Sequence, residues 1–181
     1  FPAGSPSNRR STLRGRRLES KMPQFKPPRA GEIEIELPAA FDAGVYFIGR
    51  IRTPWTSASE CPKNSRARLD VVATIEIFPP FAAGLKDLGL VSHAFALYWL
   101  DRARRDLIEQ VPSHLSAARG VFALRSPVRP NPSGLAAVEI VEVAAGSLRV
   151  RNVDCIDGTP LVDLKPYFAR IDAMPDATSP R

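Results

Sequence analysis

The chain is patterned as short segments in which hydrophobic and polar positions alternate, separated by proline and glycine. The clearest is residues 32–37, where glutamates alternate with Ile33, Ile35 and Leu37, the period of two typical of a half-buried strand. Further β-rich runs follow, each ended by a turn signal. They are residues 45–51, 71–78, 121–124, 135–143, 148–153 and 161–164. With the run 92–100, the pattern predicts a mainly β barrel or sandwich.

Some segments fit more than one element. Residues 92–100 are apolar on both faces and fit a buried strand or a helix; their aromatic residues favour the strand. Residues 101–111 fit a helix or a loop insertion, and residues 81–88 fit a helical turn. The sequence Ala-Ala-Gly at 144–146 predicts a tight hairpin turn. There is no strand–helix alternation and no G-x-G-x-x-G motif, which disfavours a Rossmann-type enzyme.

The positive charge is concentrated at the start of the chain. The net charge is +6, but residues 1–30 carry eight basic groups and one acid, so the remainder is close to neutral. Such a segment is typical of a solvated, disordered tail, although it could also bind phosphates. We therefore expect a basic tail over residues 1–31, a barrel domain over residues 32–177 and a short terminus over residues 178–181.

Composition argues against metal and membrane chemistry. The two cysteines, Cys61 and Cys155, are far apart, and only two histidines are present, so no metal site is expected. Few cysteines fit a reducing compartment such as the cytoplasm. The uncharged apolar stretch between Asp87 and Asp101 is shorter than the roughly 20 residues needed to span a bilayer.

The densest chemical signal is the sequence RSPVRPNPSGL at residues 125–135. Its prolines fix backbone angles and stiffen the loop. Arg125, Arg129 and Asn131 on such a loop offer forked donors suited to a carboxylate or a phosphate. We call residues 125–135 the proline loop.

Two further motifs have simpler alternatives. In the sequence DGTPLVDLKPY at residues 157–167, the first four residues predict a turn. Asp163 and Lys165 would share one strand face, where a surface ion pair is an equal alternative to a functional role. His93, inside an apolar run, is typical of a core residue rather than a catalyst.

These motifs, in this order, resemble those of a known family. It is the small β-barrel methyltransferases of the tRNA N6-threonylcarbamoyladenosine type, in a short form that lacks the family's extra carboxy-terminal domain. The resemblance runs from residue 45 to about residue 177. The matching pieces are residues 48–54, 61–64, 92–93, 119–135 and 157–167.

The resemblance implies an antiparallel β-barrel with a short helical insertion, working as a homodimer. It implies the cofactor S-adenosyl-L-methionine and a tRNA substrate, of the threonine-accepting kind. Carried over by motif, the cofactor contacts are expected at Asn64, Ser65, Asp101, Arg125, Leu135, Asn152, Val153 and Asp154. Ser133 and the pair Lys63-Asn64 depart from the family's pattern, and Lys is not equivalent to Arg at a bidentate site.

The methyl acceptor of this family is N6 of an adenosine that carries a threonylcarbamoyl group. That nitrogen is a poor nucleophile, so a nearby carboxylate can assist by taking its proton, and Asp157 is the candidate. Arg129 or Lys165 can meet the threonyl carboxylate, and Asn131 is a further substrate-binding candidate. Two alternatives stay open: a methyltransferase with a different acceptor, which the near-neutral body favours, and a non-catalytic module that binds the cofactor or RNA.

Overall fold

A computed structural model describes residues 25–38, 40–65 and 67–178. Most of the expected basic tail, residues 1–24, and most of the expected terminus, residues 179–181, lie outside these described residues. The strands, in chain order, are β1 (Ile33–Glu34), β2 (Gly49–Arg52), β3 (Ala73–Ile77), β4 (His93–Trp99), β5 (Leu107–Gln110), β6 (Arg119–Gly120), β7 (Ser133–Ala144), β8 (Ser147–Arg151) and β9 (Thr159–Pro166). The helical elements are three 3-10 helices (Pro79–Leu85, Leu88–Leu90 and Val121–Ala123) and the short α1 (Ala169–Asp172).

Six strands close into an antiparallel barrel in the order β2-β3-β8-β7-β4-β9. The expected mainly β, antiparallel barrel is therefore confirmed. Alternation along the strands fills its interior: β4 turns Ala94, Ala96 and Tyr98 inward, while β3 contributes Ile75 and Ile77. Burial of such side chains is the main favourable term in folding.

The β7–β8 hairpin confirms the turn predicted at residues 144–146. Two residues connect the strands, and Gly146 has φ +82°, a left-handed conformation that glycine adopts without a steric penalty. Pairing across the barrel also defines its two ends. We call the end where Trp99 pairs with Ser133 the Trp99 end, and the opposite end, where His93 pairs with Glu139, the His93 end.

A second, three-stranded sheet lies outside the barrel, in the order β1-β5-β6. Leu107 on β5 and Val121 beside β6 are buried, yet neither belongs to the barrel's core cluster. The connection between β4 and β7 thus forms a small packed unit of its own.

Three expectations for local structure are wrong. Only Ile33 and Glu34 of residues 32–37 form a strand, and both are exposed because they pair with β5 rather than lining the barrel. Residues 121–124, predicted as a strand, begin a 3-10 helix. The helical reading of residues 101–111 fails because strand β5 lies there. For residues 33–34 and 107–110, strand pairing outside the barrel, which periodicity does not encode, decided the conformation.

Candidate functional site

The proline loop is fastened to the Trp99 end of the barrel. The backbone N–H of Leu100 donates to the carbonyl of Pro132 at 2.8 Å, and Pro132 is fully buried. The Arg125 guanidinium donates to the carbonyl of Leu135 at 2.6 Å. Two expected cofactor residues, Arg125 and Leu135, are therefore brought into contact, and Asp101 follows Leu100 directly.

Arg129 holds the proline loop together from within. Its guanidinium donates to the backbone carbonyls of Ser126 (3.0 Å), Val121 (2.8 Å) and Leu124. Asn131 is exposed, and its carbonyl accepts a hydrogen bond from the N–H of Ser133 at 2.7 Å. These hydrogen bonds of Arg129 are structural, whereas Asn131 lies at the surface.

A buried tyrosine connects this end of the barrel to the segment between β8 and β9. The Tyr98 hydroxyl donates to Asp154 Oδ1 at 2.7 Å, and Tyr98 is 4% exposed. Burial, together with the negative charge of Asp154, raises the pKa of Tyr98, so the phenol stays protonated as a donor. The positive charge of Arg125 acts on the same hydroxyl in the opposite direction. Tyr98, Asp154 and Arg125 therefore share one electrostatic environment.

Gly134 makes room for this tyrosine. It pairs with Tyr98 across β4 and β7, and a Cβ at Gly134 would lie 2.0 Å from a Tyr98 ring carbon. From the sequence, the aromatic residues of the run 92–100, Tyr98 among them, are expected mostly in the core, although an aromatic face also attracts a sulfonium cation. The sequence does not show that Tyr98 pairs with Gly134, because strand pairing is decided by the closed barrel.

Asn152 carries two unusual features. Its φ is +69°, a left-handed conformation that asparagine tolerates better than most residues. Its side-chain Oδ1 is buried and has no hydrogen-bond partner among the described residues. A buried acceptor without a partner is costly, which makes Asn152 a ligand-binding candidate. Val153, beside it, is buried in the barrel core.

The long loop before β3 approaches the same segment. Burial raises the pKa of the Cys61 thiol, and the negative charge of Asp154 raises it further, so the middle of this loop, between β2 and β3, lies near Asp154. Asn64 is exposed, and its carbonyl accepts a hydrogen bond from the N–H of Ala67 at 3.1 Å. Ser65 is half-buried.

Asp157 is oriented by two neighbours. Its Oδ1 accepts a hydrogen bond from the Thr53 N–H at 3.1 Å, and its Oδ2 lies 3.5 Å from the guanidinium of Arg52. Lys165, in contrast, forms an ion pair with Asp163 at 2.7 Å, which is the surface alternative considered from the sequence. It pairs with Phe95 in β4, further towards the His93 end than Tyr98.

We call Tyr98, Arg125, Leu135, Asn152 and Asp154 the candidate cluster. It offers acceptors at Asn152 and Asp154, and donors at Arg125. No group of three or more His, Cys, Asp or Glu side chains that could hold a metal lies within residues 25–38, 40–65 and 67–178. None of the helices in those ranges is long and apolar enough to cross a membrane.

The chain is similar in sequence and fold to known proteins. Residues 50–173 match the family model described as the tRNA-methyltransferase O N-terminal domain. The chain belongs to this family. A relative from Archaeoglobus fulgidus, named a probable S-adenosyl-L-methionine-binding protein, is 48% identical over 72% of this chain and 35% of its own length.

Two further similar proteins are a named tRNA methyltransferase and a solved structure. The Escherichia coli tRNA (adenine(37)-N6)-methyltransferase is 30% identical over 73% of this chain and 60% of its own length. The crystal structure of TrmO from Pseudomonas aeruginosa aligns with a TM-score of 0.65 and 32% identity, covering 78% of this chain and 62% of that one. The family resemblance seen in the motifs is confirmed, and the chain spans only part of the length of these relatives.

Proposed function

We propose that this chain binds S-adenosyl-L-methionine at the candidate cluster and transfers its methyl group to an adenine of tRNA. The observation that carries the proposal is the buried Oδ1 of Asn152, which has no hydrogen-bond partner among the described residues and belongs to the same segment as Asp154. The cofactor presents amine and hydroxyl donors that such acceptors suit, and a carboxylate that the Arg125 guanidinium suits. The donor set of the chain therefore fits this cofactor.

The cofactor, when bound, supplies an electrophilic methyl carbon. The chain's own part is mainly to position the acceptor in line with that carbon, because well-oriented reactants lower the barrier substantially. The stiff proline loop and the Tyr98–Asp154 hydrogen bond keep the binding side chains in place at low entropic cost. Asp157, fixed by Thr53 and Arg52, is proposed as the carboxylate that takes the proton from N6.

The cofactor assignment is tested by calorimetry. Arg125→Ala should weaken S-adenosyl-L-methionine binding by about 1.5–3 kcal/mol, the value of a charged hydrogen bond. Arg149→Ala is the matched control, because Arg149 is exposed on the barrel wall and paired with Glu142. Equal affinity of both variants and the wild type would remove Arg125 from the site.

The finer part of the proposal is the acceptor, N6 of threonylcarbamoyl-adenosine in the anticodon loop of a threonine tRNA. Arg129 and Lys165 are the cations proposed for its carboxylate, although Arg129 would have to give up backbone contacts and Lys165 its pairing with Asp163. Nucleoside mass spectrometry of tRNA from cells with and without the gene tests the acceptor. Equal methylation of modified and unmodified tRNA would contradict carboxylate recognition, since a cation facing the unmodified base would lack its partner.

A second candidate is methyl transfer to a different acceptor, which the near-neutral charge of the chain beyond residue 30 favours. Cofactor binding without methylation of any tRNA would support it. We further propose that the protein works as a homodimer. We also propose that it acts in the cytoplasm, because its free cysteines, Cys61 and Cys155, fit a reducing compartment.

A further inference from the structure

A cationic and aromatic cluster stands beside the candidate cluster. The guanidinium carbon of Arg105 lies 5.1 Å from the ring centroid of Phe41 and 5.6 Å from that of Trp99. Distances of this size are typical of cation–π contacts. We call Phe41, Trp99 and Arg105 the stacking cluster.

The elements of the candidate cluster hold this stacking cluster in place. Trp99 follows Tyr98 in β4, and the Arg105 Nε–H donates to the carbonyl of Pro130 in the proline loop at 2.6 Å. The proline loop also carries Arg125, whose guanidinium binds the Leu135 carbonyl. The stacking cluster is therefore fixed to the two elements, β4 and the proline loop, that position the proposed cofactor site.

Arg104, which precedes Arg105 in the sequence, is in contrast an arginine with a structural role. Arg104 lies 5.8 Å from the Phe25 ring centroid, but it is neutralised by Asp106 at 2.7 Å and by Glu34 at 3.6 Å. No ion pair within the described ranges joins Arg105 to a carboxylate. Arg105 thus faces two aromatic rings without an ion pair to a described carboxylate.

Phe41 leaves most of its surface in water. It is 79% exposed although it contacts Arg105, so its ring stabilises the folded chain little through burial. An exposed aromatic face next to an uncompensated cation matches a ligand that is both flat and anionic. A nucleotide in single-stranded RNA has this chemistry, because its base stacks on aromatic rings and its phosphate attracts a guanidinium.

We propose that the stacking cluster is a platform for a base of the substrate RNA, with Phe41 as the stacking surface and Arg105 as the phosphate partner. The proposal rests on the function proposed above and adds a binding surface to it. Phe41 lies outside residues 50–173, which the family model covers, so the platform draws on this chain's own flanking segment.

The test measures RNA and cofactor binding separately. The probe is a synthetic threonine anticodon stem-loop RNA that carries the threonylcarbamoyl-adenosine, with binding followed by fluorescence anisotropy and methyl transfer followed by kinetics. Phe41→Ala should raise the Kd for the RNA by about 5- to 150-fold, the range expected for one stacked base, and raise KM more than it lowers kcat. Its affinity for S-adenosyl-L-methionine should equal that of the wild type, and Phe41→Trp should restore RNA binding.

Tyr46→Ala is the matched control, because Tyr46 is 83% exposed in the same segment and has no ring contact among the described residues. Unchanged RNA affinity of Phe41→Ala, or an equal loss in Tyr46→Ala, would overturn the platform. A loss of cofactor affinity in Phe41→Ala would assign the ring to the cofactor's adenine instead. If the wild type itself neither bound nor methylated this RNA, the proposed function would be refuted as well. This outcome is seen with the wild type alone, so it is distinct from the effect of Phe41→Ala.

Discussion

At the scale of single residues, the candidate cluster depends on groups whose hydrogen bonds are made far along the chain. Tyr98 and Asp154 are 56 residues apart, yet the phenol is the carboxylate's donor. The phenol is buried and protonated, so its hydroxyl directs Asp154 without adding charge. Asn152, two residues earlier, has a buried acceptor, Oδ1, without a hydrogen-bond partner in the part of the chain that the structure describes.

Removal of the Tyr98 hydroxyl should show how much its hydrogen bond to Asp154 contributes to stability. Tyr98→Phe keeps the ring and its packing but leaves a half-buried carboxylate without its donor, so the free energy of unfolding should fall by about 1–3 kcal/mol. Urea denaturation measures this loss. In a double-mutant cycle, adding Asp154→Asn should cost much less than it does in the wild type. Fully additive effects would show that the two residues do not interact.

Asn152 allows backbone strain and ligand binding to be separated. Asn152→Gly accepts φ +69° freely, whereas Asn152→Ala has to place a Cβ in the left-handed region at a cost of about 1–2 kcal/mol. We expect Ala to lower the melting temperature more than Gly, as differential scanning fluorimetry would show. Both should weaken S-adenosyl-L-methionine binding, because both remove Oδ1. Cofactor affinity retained by Asn152→Gly would mean that Oδ1 is not a ligand.

At the scale of elements, the site is built where β4 meets the proline loop. β7 begins inside that loop, so the pairing of β4 with β7 sets the position of Arg125 and Leu135 relative to Tyr98. The contact is close because Gly134 lacks a side chain where the Tyr98 ring lies. Strand pairing and cofactor binding are therefore coupled at this residue.

Gly134→Ala tests that coupling. The added Cβ would lie 2.0 Å from the buried Tyr98 ring, so β7 or the ring must move, at a cost of about 1–3 kcal/mol. We expect lower stability and weaker cofactor binding together, measured by urea denaturation and calorimetry. Gly44→Ala is the control, because its Cβ would meet nothing within 4 Å. If both variants behaved like the wild type, the close approach of Gly134 to the Tyr98 ring would affect neither stability nor cofactor binding.

At the scale of the whole molecule, the barrel core governs stability at high pH. Burial raises the pKa of Cys155 to about 12, from an ordinary thiol value of 9.0, and raises the pKa of Cys61 as well. The folded state therefore disfavours the thiolate. The unfolded chain releases these protons above about pH 9, so stability is fully present below that pH and is lost as the pH rises towards 12.

The loss should approach about 1.4 kcal/mol per pH unit for one proton. Urea denaturation between about pH 8 and pH 11 measures the slope, because this range spans the ordinary thiol pKa of 9.0. Cys155→Ala, although less stable at neutral pH, should give a shallower slope. An identical slope in the variant would assign the alkaline loss to other groups.

The His93 end of the barrel offers an apolar surface that a second copy could cover. Leu90 is 83% exposed, Phe168 48% and Ile171 64%, and grooves of about 640 Å³ and 810 Å³ lie between the segments around residues 80–93 and 163–171. These grooves are at the opposite end from the candidate cluster. Contiguous exposed apolar surface is typical of an interaction face.

We therefore predict a dimer at micromolar concentration by light scattering. Leu90→Asp should shift it towards monomer while leaving the melting temperature of the monomer nearly unchanged, since Leu90 is barely buried. Lys86→Asp, at the rim of the same groove, is the control for an added negative charge. A monomeric wild type would contradict the homodimer.

Local patterning determined much of this protein. β-rich runs ended by turn signals predicted the barrel strands, and aromatic residues favoured a strand over residues 92–100. The turn at Gly146 was predictable from glycine's backbone freedom. The motif at residues 125–135 and its companions identified the family, because their joint occurrence in one order is far rarer than each alone.

Only the tertiary structure decided the rest. Residues 101–111 and 121–124 took conformations set by packing outside the barrel, where local propensity is weak and long-range pairing prevails. It also separated Arg129, bound to backbone carbonyls, from Arg125, which lies beside Tyr98. The same loop sequence permits both outcomes, because which arginine faces a ligand depends on contacts that only the closed barrel creates.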